Sequence, residues 1–496
     1  MNLFLLVITV YVLVLIGIGV YKSFQIKSQD DFMVAGRNVS MWFLVGTLVC
    51  TWVGSGTLFG SAGLSFRDGF SALWMSAGAW VGIVCVYFLA GRVRKIAEYT
   101  VPDILEKRYN ATARILGTIT IVIAYMSIAG YQFKGGGRLL NIITRTDPHN
   151  AATGLDPFVG ALITCGVVVL FTLLAGMVSI IAADLVNGLI ITISVIIGVP
   201  LLLFGSDIGS WNFVTETLPN DHFTALGTHN AWWVIGIFFP TFFLLMGESS
   251  IYQKFFAAKD EATAKKAVIG MVIGVIFVEG MLCLLSIIGS AKHWSNPIFK
   301  TADGGIDPSM SETVVLHIAR FDLPEVAGAL LMAAAVAIIL STANTFLMIP
   351  STNITRDIYQ RFINPQADQK TIITMQRVLI VVIALAAFLL ATQFQTILAM
   401  AFTAYTMVGA GITPVLLASF LWKRVTPQGG VASMVASMIV TVGITVANAV
   451  MDQPLLEADY IIIPAIISSL GCLIFVSLMT KPSPEEKYAP FMSAGQ

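Results

Sequence analysis

Thirteen apolar stretches, each of roughly 20 residues, run through the chain between short segments with charged residues or Gly, Pro and Asn clusters. A helix of about 20 residues can cross the hydrocarbon core of a bilayer. Hydrophobic residues make up 57% of the 496 residues and charged residues 11%, as in a chain that lies mostly in lipid. The stretches lie near residues 2 to 21, 41 to 65, 71 to 97, 111 to 143, 155 to 176, 179 to 205, 231 to 257, 264 to 291, 317 to 360, 371 to 394, 396 to 421, 428 to 450 and 458 to 480. The sequence therefore predicts an all-α integral membrane protein with thirteen transmembrane helices.

Basic residues indicate how these helices are oriented. If the N-terminus lies outside, 21 of the 28 Lys and Arg residues fall in inner segments, against six outside and one, Lys134, within a span. Lys and Arg are enriched on the cytoplasmic side of membrane proteins. We therefore predict a protein of the cell (inner or plasma) membrane with its N-terminus outside and its C-terminus in the cytoplasm. The formal net charge of zero offers no basic surface for nucleic acid.

Four ionisable side chains fall at membrane depth, well away from the ends of the predicted spans: Lys134, Asp184, Glu248 and Glu279. A charge at this depth is costly, so each one is by default a functional residue or half of an ion pair. For Glu279 we expect a partner on a neighbouring helix.

Two polar interruptions occur at matching positions five spans apart. The first places Gly54 and Gly56 in the middle of the second span, and the second is the Gly247–Ser250 segment in the seventh. Broken helices in the corresponding parts of two halves are typical of secondary transporters built from inverted repeats. The alternative is that these glycines only allow close packing of helices.

The Ser341–Thr342 pair lies in an otherwise apolar stretch of the ninth span. A hydroxyl group in hydrocarbon is costly without a partner. Uncharged hard oxygens, together with the free carbonyl groups of a broken helix, suit Na⁺, whereas a divalent ion would require carboxylates. The alternative is that both hydroxyls bond back to carbonyl groups one turn earlier.

Six short motifs occur in order along the chain: Asp31 to Arg37, Thr51 to Gly63, Gly91 to Glu106, Gln253 to Lys259, Ser341 to Tyr359, and Pro414 followed by Trp422 to Gly429. Taken together, they resemble the sodium/solute symporter family, whose members include sodium/proline, sodium/glucose, sialic acid and choline carriers. The resemblance covers roughly residues 30 to 430. It implies a LeuT-like fold with a 5+5 inverted-repeat core, one extra N-terminal helix and two extra C-terminal helices.

On that fold the chain divides into six parts. We expect a peripheral first helix and cytoplasmic linker in 1–40, the first repeat in 41–205, an outer loop in 206–230, the second repeat in 231–421, two C-terminal helices in 422–480 and a cytoplasmic tail in 481–496.

The resemblance also implies a Na⁺ site. The family's usual site takes backbone carbonyl oxygens at the first break and hydroxyl and carbonyl oxygens of the eighth core helix. The matching positions in this chain are Cys50, Val53, Ile338, Ser341 and Thr342.

Some members of the family bind a second Na⁺ beside an Asp of the fifth core helix. Here that site would consist of Asp184, Ser341, Asn344 and Thr345. The family commonly has Trp-Thr before this Asp and Gln three residues after it, whereas this chain has Ala182, Ala183 and Asn187.

The substrate site is predicted from the same resemblance and from polar residues at membrane depth. Its candidates are Trp52, Gly54, Ser55, Gln132, Lys134 and Glu248. Two interpretations of the charged residues stay open. Lys134 and Glu248 either bind the carboxylate and amino group of a zwitterion or pair with each other.

The predicted function is Na⁺-coupled import of a small organic solute by alternating access, with an amino acid or another small carboxylate favoured. The alternatives are proton coupling through Lys134 or Asp184, a sugar or quaternary-amine substrate, and a channel or sensor on the same fold.

We predict no enzymatic activity and no catalytic residues. The expected partners are the solute, Na⁺ and the lipid bilayer, and a monomer is expected to suffice for transport.

Overall fold

The computed structural model describes residues 3–24, 29–96, 98–174, 176–451 and 453–492, and every regular element in these ranges is helical. Lys27, which contributes to the orientation argument, and the end of the predicted tail, residues 493–496, lie outside the described residues.

The helices follow one another in this order. The first eleven are α1 (Leu3–Ser23), α2 (Gln29–Val34), α3 (Met41–Trp52), α4 (Ala62–Asp68), α5 (Leu73–Ile96), α6 (Val101–Arg108), α7 (Ala111–Thr144), α8 (Pro157–Leu174), α9 (Met177–Leu203), α10 (Trp211–Thr217) and α11 (Ala231–Gly247). The others are α12 (Ser249–Ala257), α13 (Glu261–His293), α14 (Pro308–Ser311), α15 (Val314–Phe321), α16 (Glu325–Asn353), α17 (Gln369–Ala391), α18 (Ile397–Gly411), α19 (Thr413–Leu421), α20 (Pro427–Val450), α21 (Ile462–Met479) and α22 (Glu485–Met492). Two π-helical segments, Gly56–Ser61 and Ile354–Ile363, extend α4 and α16.

Within the described ranges, twelve helical segments are long and apolar enough to cross a membrane. The remaining predicted span is the second one, near residues 41 to 65, which contains the first break. Its first half, Met41–Trp52, is too short to cross alone, and its second half runs into the third predicted span as Gly56–Ile96. The broken helix thus accounts for the difference between thirteen predicted spans and twelve long helices.

Two predicted segments differ from the structure in their details. The ninth span was expected to begin at residue 317, but α16 begins at Glu325 because Pro324 separates it from the short helix α15. A proline disfavours helical backbone in the residue before it. The predicted outer loop 206–230 contains the short helix α10.

Helix α16 forms the centre of the bundle. Every residue from Leu331 to Asn353 is buried, and α16 packs mainly against α7 and α9. A helix that is apolar on all sides belongs in such a position. By contrast, α20 and α21 pack closely on each other and expose large apolar side chains such as Ile439 and Phe475, as lipid-facing helices do. The hydroxyl pair of α16 is therefore held in a fully buried part of the bundle.

A network of ion pairs closes one end of the bundle. Asp357, which is fully buried, accepts hydrogen bonds of 2.9 Å from both Arg114 Nη2 and Thr100 Oγ1. Arg114 also pairs with Asp103 and Glu106. The network ties α6 and α7 to the segment that follows α16.

We expect Asp357→Asn to lower the free energy of unfolding by about 3 kcal/mol, because it removes one partner from a buried ion pair. Thermal unfolding of the purified protein in detergent measures the loss. The control is Arg361→Gln, since Arg361 is exposed and pairs with Glu106 at 2.9 Å. An exposed pair contributes about 1 kcal/mol or less. Equal losses in the two variants would contradict the buried role of Asp357.

Candidate functional site

The first predicted break is present between α3 and the π-helical segment that follows it. Helix α3 ends at Trp52, Val53 has extended backbone angles (φ −72°, ψ 93°), and helical structure resumes at Gly56. The last carbonyl groups of a helix have no partner within that helix. The break therefore leaves carbonyl oxygens of α3 available in the middle of the membrane-spanning region.

At Gly54, side chains of α7 and α16 approach the backbone of the break closely. A Cβ atom on Gly54 would lie 3.0 Å from Gln132 Nε2 and 3.1 Å from Thr342 Oγ1. Gln132 Oε1 also accepts hydrogen bonds from the backbone N–H (3.0 Å) and the hydroxyl (2.5 Å) of Ser55. Glycine thus lets α16 and α7 pack against the interrupted helix.

The Ser341–Thr342 pair lies directly against this break. Thr342 Oγ1 is 3.4 Å from the carbonyl oxygens of both Cys50 and Val53, and Ser341 Oγ is 3.5 Å from that of Cys50. Ile338, the remaining predicted ligand, is buried one turn before Thr342. Both hydroxyls therefore face α3, which argues against the alternative that they bond back along their own helix.

These oxygen–oxygen distances are informative. Hydroxyl hydrogen bonds are typically about 2.7 to 2.8 Å long, shorter than the separations at this site. Ca²⁺, a cation of nearly the size of Na⁺, binds oxygen at about 2.4 Å, so two ligands at right angles around it are about 3.4 Å apart. The spacing of the carbonyl and hydroxyl oxygens fits a small cation shared between α3 and α16.

Asp184 lies next to this group of oxygens. It is 1% exposed and accepts hydrogen bonds from the hydroxyls of Ser341 and Thr47, the latter at 2.5 Å. Lys254 Nζ lies 3.8 Å from Asp184 Oδ2. The carboxylate is thus surrounded by donors on α3, α12 and α16.

The residues predicted for a second Na⁺ site are brought together only in part. Ser341 contacts Asp184, but Asn344 Oδ1 accepts a hydrogen bond of 2.9 Å from Thr172 on α8. Thr345 Oγ1 is buried and has no hydrogen-bond partner among the described residues. The structure therefore places the Asn344 amide in the α8–α16 contact, away from Asp184, and the second site stays a prediction.

The second predicted break is also present, between α11 and α12. Glu248 has extended backbone angles (φ −68°, ψ 101°) and caps α12. Its Oε1 atom accepts hydrogen bonds from Tyr125 and, at 3.0 Å, from the hydroxyl of Ser250. Its Oε2 atom is buried and has no partner among the described residues. Glu248 thus presents one free carboxylate oxygen at the centre of the bundle.

Glu279 holds two indole rings in place. Its Oε1 atom accepts a hydrogen bond from Trp52 Nε1 at 3.0 Å, and its Oε2 atom accepts one from Trp80 Nε1 at 2.7 Å. A buried indole N–H requires such an acceptor. The expectation of a partner on a neighbouring helix is confirmed, with α3 and α5 supplying the partners.

A cavity of about 30 Å³ lies between the two breaks. It has room for roughly one water molecule. Trp52, Glu248 and Glu279 line it together with the aromatic side chains of Tyr131 and Tyr405. No Lys or Arg of the described ranges lines the cavity.

The remaining predicted substrate residues do not line this cavity. Gly54, Ser55 and Gln132 pack against one another beside the first break. Lys134 Nζ donates a hydrogen bond to the carbonyl oxygen of Phe394. Of the two interpretations left open for Lys134 and Glu248, the structure does not show the pairing: Lys134 contacts Phe394, and Glu248 contacts Tyr125 and Ser250.

Sequence reasoning missed the roles of Glu279, Trp80 and Lys254. The signal for Glu279 was its depth within an apolar span, which was recognised without a role. Trp80 lies in an apolar span. Lys254 lies six residues after Glu248 at the second break, and its side chain is fully buried. Its closeness to the break is the signal that could have drawn attention to it.

A model of the sodium:solute symporter family matches residues 32–437 of this chain. The chain belongs to the sodium:solute symporter family. It is therefore a multi-pass protein of the cell membrane that couples Na⁺ to the movement of a small organic solute. The family is one of transporters.

Among the symporter's relatives, the osmoregulated proline transporter of Bacillus subtilis is 27% identical over 508 residues, which cover 97% of this chain and 96% of the relative. The high-affinity proline transporter of the same organism is 26% identical over 489 residues, covering 95% and 96%. The solved structure of a Na⁺-coupled sialic acid symporter in a substrate-bound, outward-open state covers 98% of this chain and 99% of its own. Its TM-score is 0.78 at 16% identity. This likeness establishes the LeuT-like fold.

Proposed function

We propose that this symporter imports a small organic solute that carries an ammonium group, with Na⁺ bound by Cys50, Val53, Ile338, Ser341 and Thr342. The observation that carries the solute class is the buried Oε2 atom of Glu248, a residue that lines the central cavity; this atom has no hydrogen-bond partner among the described residues. A buried carboxylate oxygen without a partner is costly, and a cationic group would satisfy it.

The chemistry of the cavity supports the same class. Its charged lining residues are two acids, Glu248 and Glu279, and its aromatic residues include Trp52, Tyr131 and Tyr405. Aromatic faces attract ammonium groups. Because Lys134 donates to Phe394, it is not in place to bind a carboxylate. A carboxylate solute without a positive charge would lie against two acidic side chains. Such small carboxylates, which belong to the predicted substrate range, are therefore disfavoured.

An amino acid remains within the proposed class because it carries an ammonium group. The curated relatives named above are proline transporters. Quaternary amines and primary or secondary amines are the other members of the class. Sugars lack the positive charge that Glu248 Oε2 would bind.

The proposal extends to topology. The N-terminus lies outside, the C-terminus lies in the cytoplasm, the inverted repeats span 41–205 and 231–421, and one chain suffices for transport. Each Na⁺ that moves inward contributes about 2.3 kcal/mol per 100 mV of membrane potential to solute uptake.

The test is a thermal-stability screen of purified protein, followed by uptake into proteoliposomes. Amino acids, quaternary amines, monocarboxylates and sugars are compared with and without Na⁺, with choline or K⁺ as the replacing cation where choline is not the solute. We expect stabilisation and saturable, accumulative uptake for ammonium-bearing solutes in Na⁺ only. Uptake that follows a pH gradient and ignores Na⁺ contradicts the proposed coupling. Preference for sugars or monocarboxylates contradicts the solute class.

A further inference from the structure

Lys254 is the most deeply buried basic side chain near the proposed Na⁺ site. It is fully buried in α12, which begins at the second break. Its Nζ atom donates a hydrogen bond of 2.9 Å to the carbonyl oxygen of Thr47 and lies 3.8 Å from Asp184 Oδ2. A buried ammonium group requires a counter-charge and hydrogen-bond acceptors, and these two residues supply both.

Asp184 is correspondingly saturated. Its Oδ2 atom accepts from the Thr47 hydroxyl at 2.5 Å and faces Lys254, and its Oδ1 atom accepts from the Ser341 hydroxyl. A Na⁺ ion needs a shell of oxygens with free lone pairs. The groups around this carboxylate are donors, and one of them is already a cation.

The position of this ion pair links it to the Na⁺ site. Ser341 Oγ contacts Asp184 and also lies 3.5 Å from the carbonyl oxygen of Cys50. The pair therefore shares Ser341 with the proposed Na⁺ site and is held by α3, α9 and α12 around it. A second mobile cation at Asp184 would lie close to the ammonium group and be repelled by it.

We propose that the Lys254 ammonium group acts as a built-in cation at Asp184, in the place that a second Na⁺ would otherwise occupy, so that this chain binds one Na⁺ per transport cycle. The inference rests on the proposed Na⁺ site. A tethered ammonium neutralises Asp184 without crossing the membrane, so it stabilises the bundle around the first site but adds nothing to the driving force.

The experiment measures how many Na⁺ ions purified protein binds, using radioactive Na⁺ with K⁺ as the background cation. We expect the unaltered protein to bind one Na⁺ per chain. Lys254→Met leaves Asp184 without its counter-charge, and we expect this variant to bind two. Lys254→Arg, which keeps the charge, and the double variant Lys254→Met with Asp184→Asn, which removes both charges, are both expected to bind one.

Two results would overturn the inference: two Na⁺ ions per chain in the unaltered protein, or one in folded Lys254→Met. If Lys254→Met does not fold, the number bound by the unaltered protein and by the charge-free double variant decides the question, and two in either overturns it. The absence of any saturable Na⁺ binding in the unaltered protein is a different outcome, since it refutes the proposed Na⁺ site itself.

Discussion

Replacing Ser341 and Thr342 together by alanine is expected to abolish Na⁺-stimulated uptake. The double change removes the two hydroxyl oxygens that α16 presents to the carbonyl groups of Cys50 and Val53. Each interaction of a polar group with a charge contributes about 1.5 kcal/mol or more, so the loss of two lowers Na⁺ affinity by roughly 100-fold or more. The Na⁺ concentration dependence of uptake in proteoliposomes measures the change.

The same helix offers a matched control. Ser351 and Thr352 form a second buried hydroxyl pair, but their hydroxyls donate to the carbonyl oxygen of Met348 in their own helix. Alanine at both positions is expected to leave the Na⁺ affinity within about threefold, a shift of less than 1 kcal/mol. Unchanged Na⁺ dependence in the Ser341–Thr342 variant would refute the assigned site.

The contact between the Ser341–Thr342 hydroxyls and the first break could be predicted, because both features follow from local rules. A hydroxyl in an apolar stretch needs a partner, and glycines in a second apolar stretch suggest where carbonyl groups become free. Both features can be read from neighbouring residues. The long-range contact between Thr342 and Val53 then follows from the fold that the motifs imply.

Lys134 shows that the position of a residue within a predicted span does not reveal where its side chain points. It lies about three turns before the end of α7, and its long side chain reaches the carbonyl oxygen of Phe394 between α17 and α18. Lysine side chains commonly extend toward a more polar position in this way. The sequence gives the depth of the Cα atom, but the direction of the side chain depends on tertiary packing.

Lys254 shows the opposite case. It lies near the inner end of the seventh predicted span and is one of the 21 basic residues assigned to inner segments. Its side chain is instead fully buried and points to Thr47 and Asp184, which lie 207 and 70 positions earlier in the chain. Glu279 likewise depends on Trp52 and Trp80 from distant helices. Partners at such separations follow from the three-dimensional arrangement and not from a local pattern.

Glu248→Gln is expected to raise the KM for an ammonium-bearing solute by about 30-fold or more, equivalent to about 2 kcal/mol, because it removes the charge opposite the ammonium group. Glutamine has nearly the same shape, and its amide oxygen can still accept hydrogen bonds from Tyr125 and Ser250, as Glu248 Oε1 does. The loss should therefore fall on solute binding and not on the helix break. Uptake kinetics at saturating Na⁺ measure it, with the Na⁺ affinity of the same variant as the internal reference.

The variant Glu279→Gln tests whether Glu279 binds the solute through its charge or only positions the two indole rings. Glu279 uses both carboxylate oxygens to hold Trp52 and Trp80, so an amide keeps one indole acceptor and loses the other. A residue that positions the aromatic wall should change KM less than the one that meets the ammonium group, and the two variants should differ by about tenfold or more, roughly 1.4 kcal/mol. If Glu279→Gln has the larger effect on KM, then Glu279 is the solute's counter-charge. If neither variant changes KM for amines, the solute is not bound through a positive charge in this cavity.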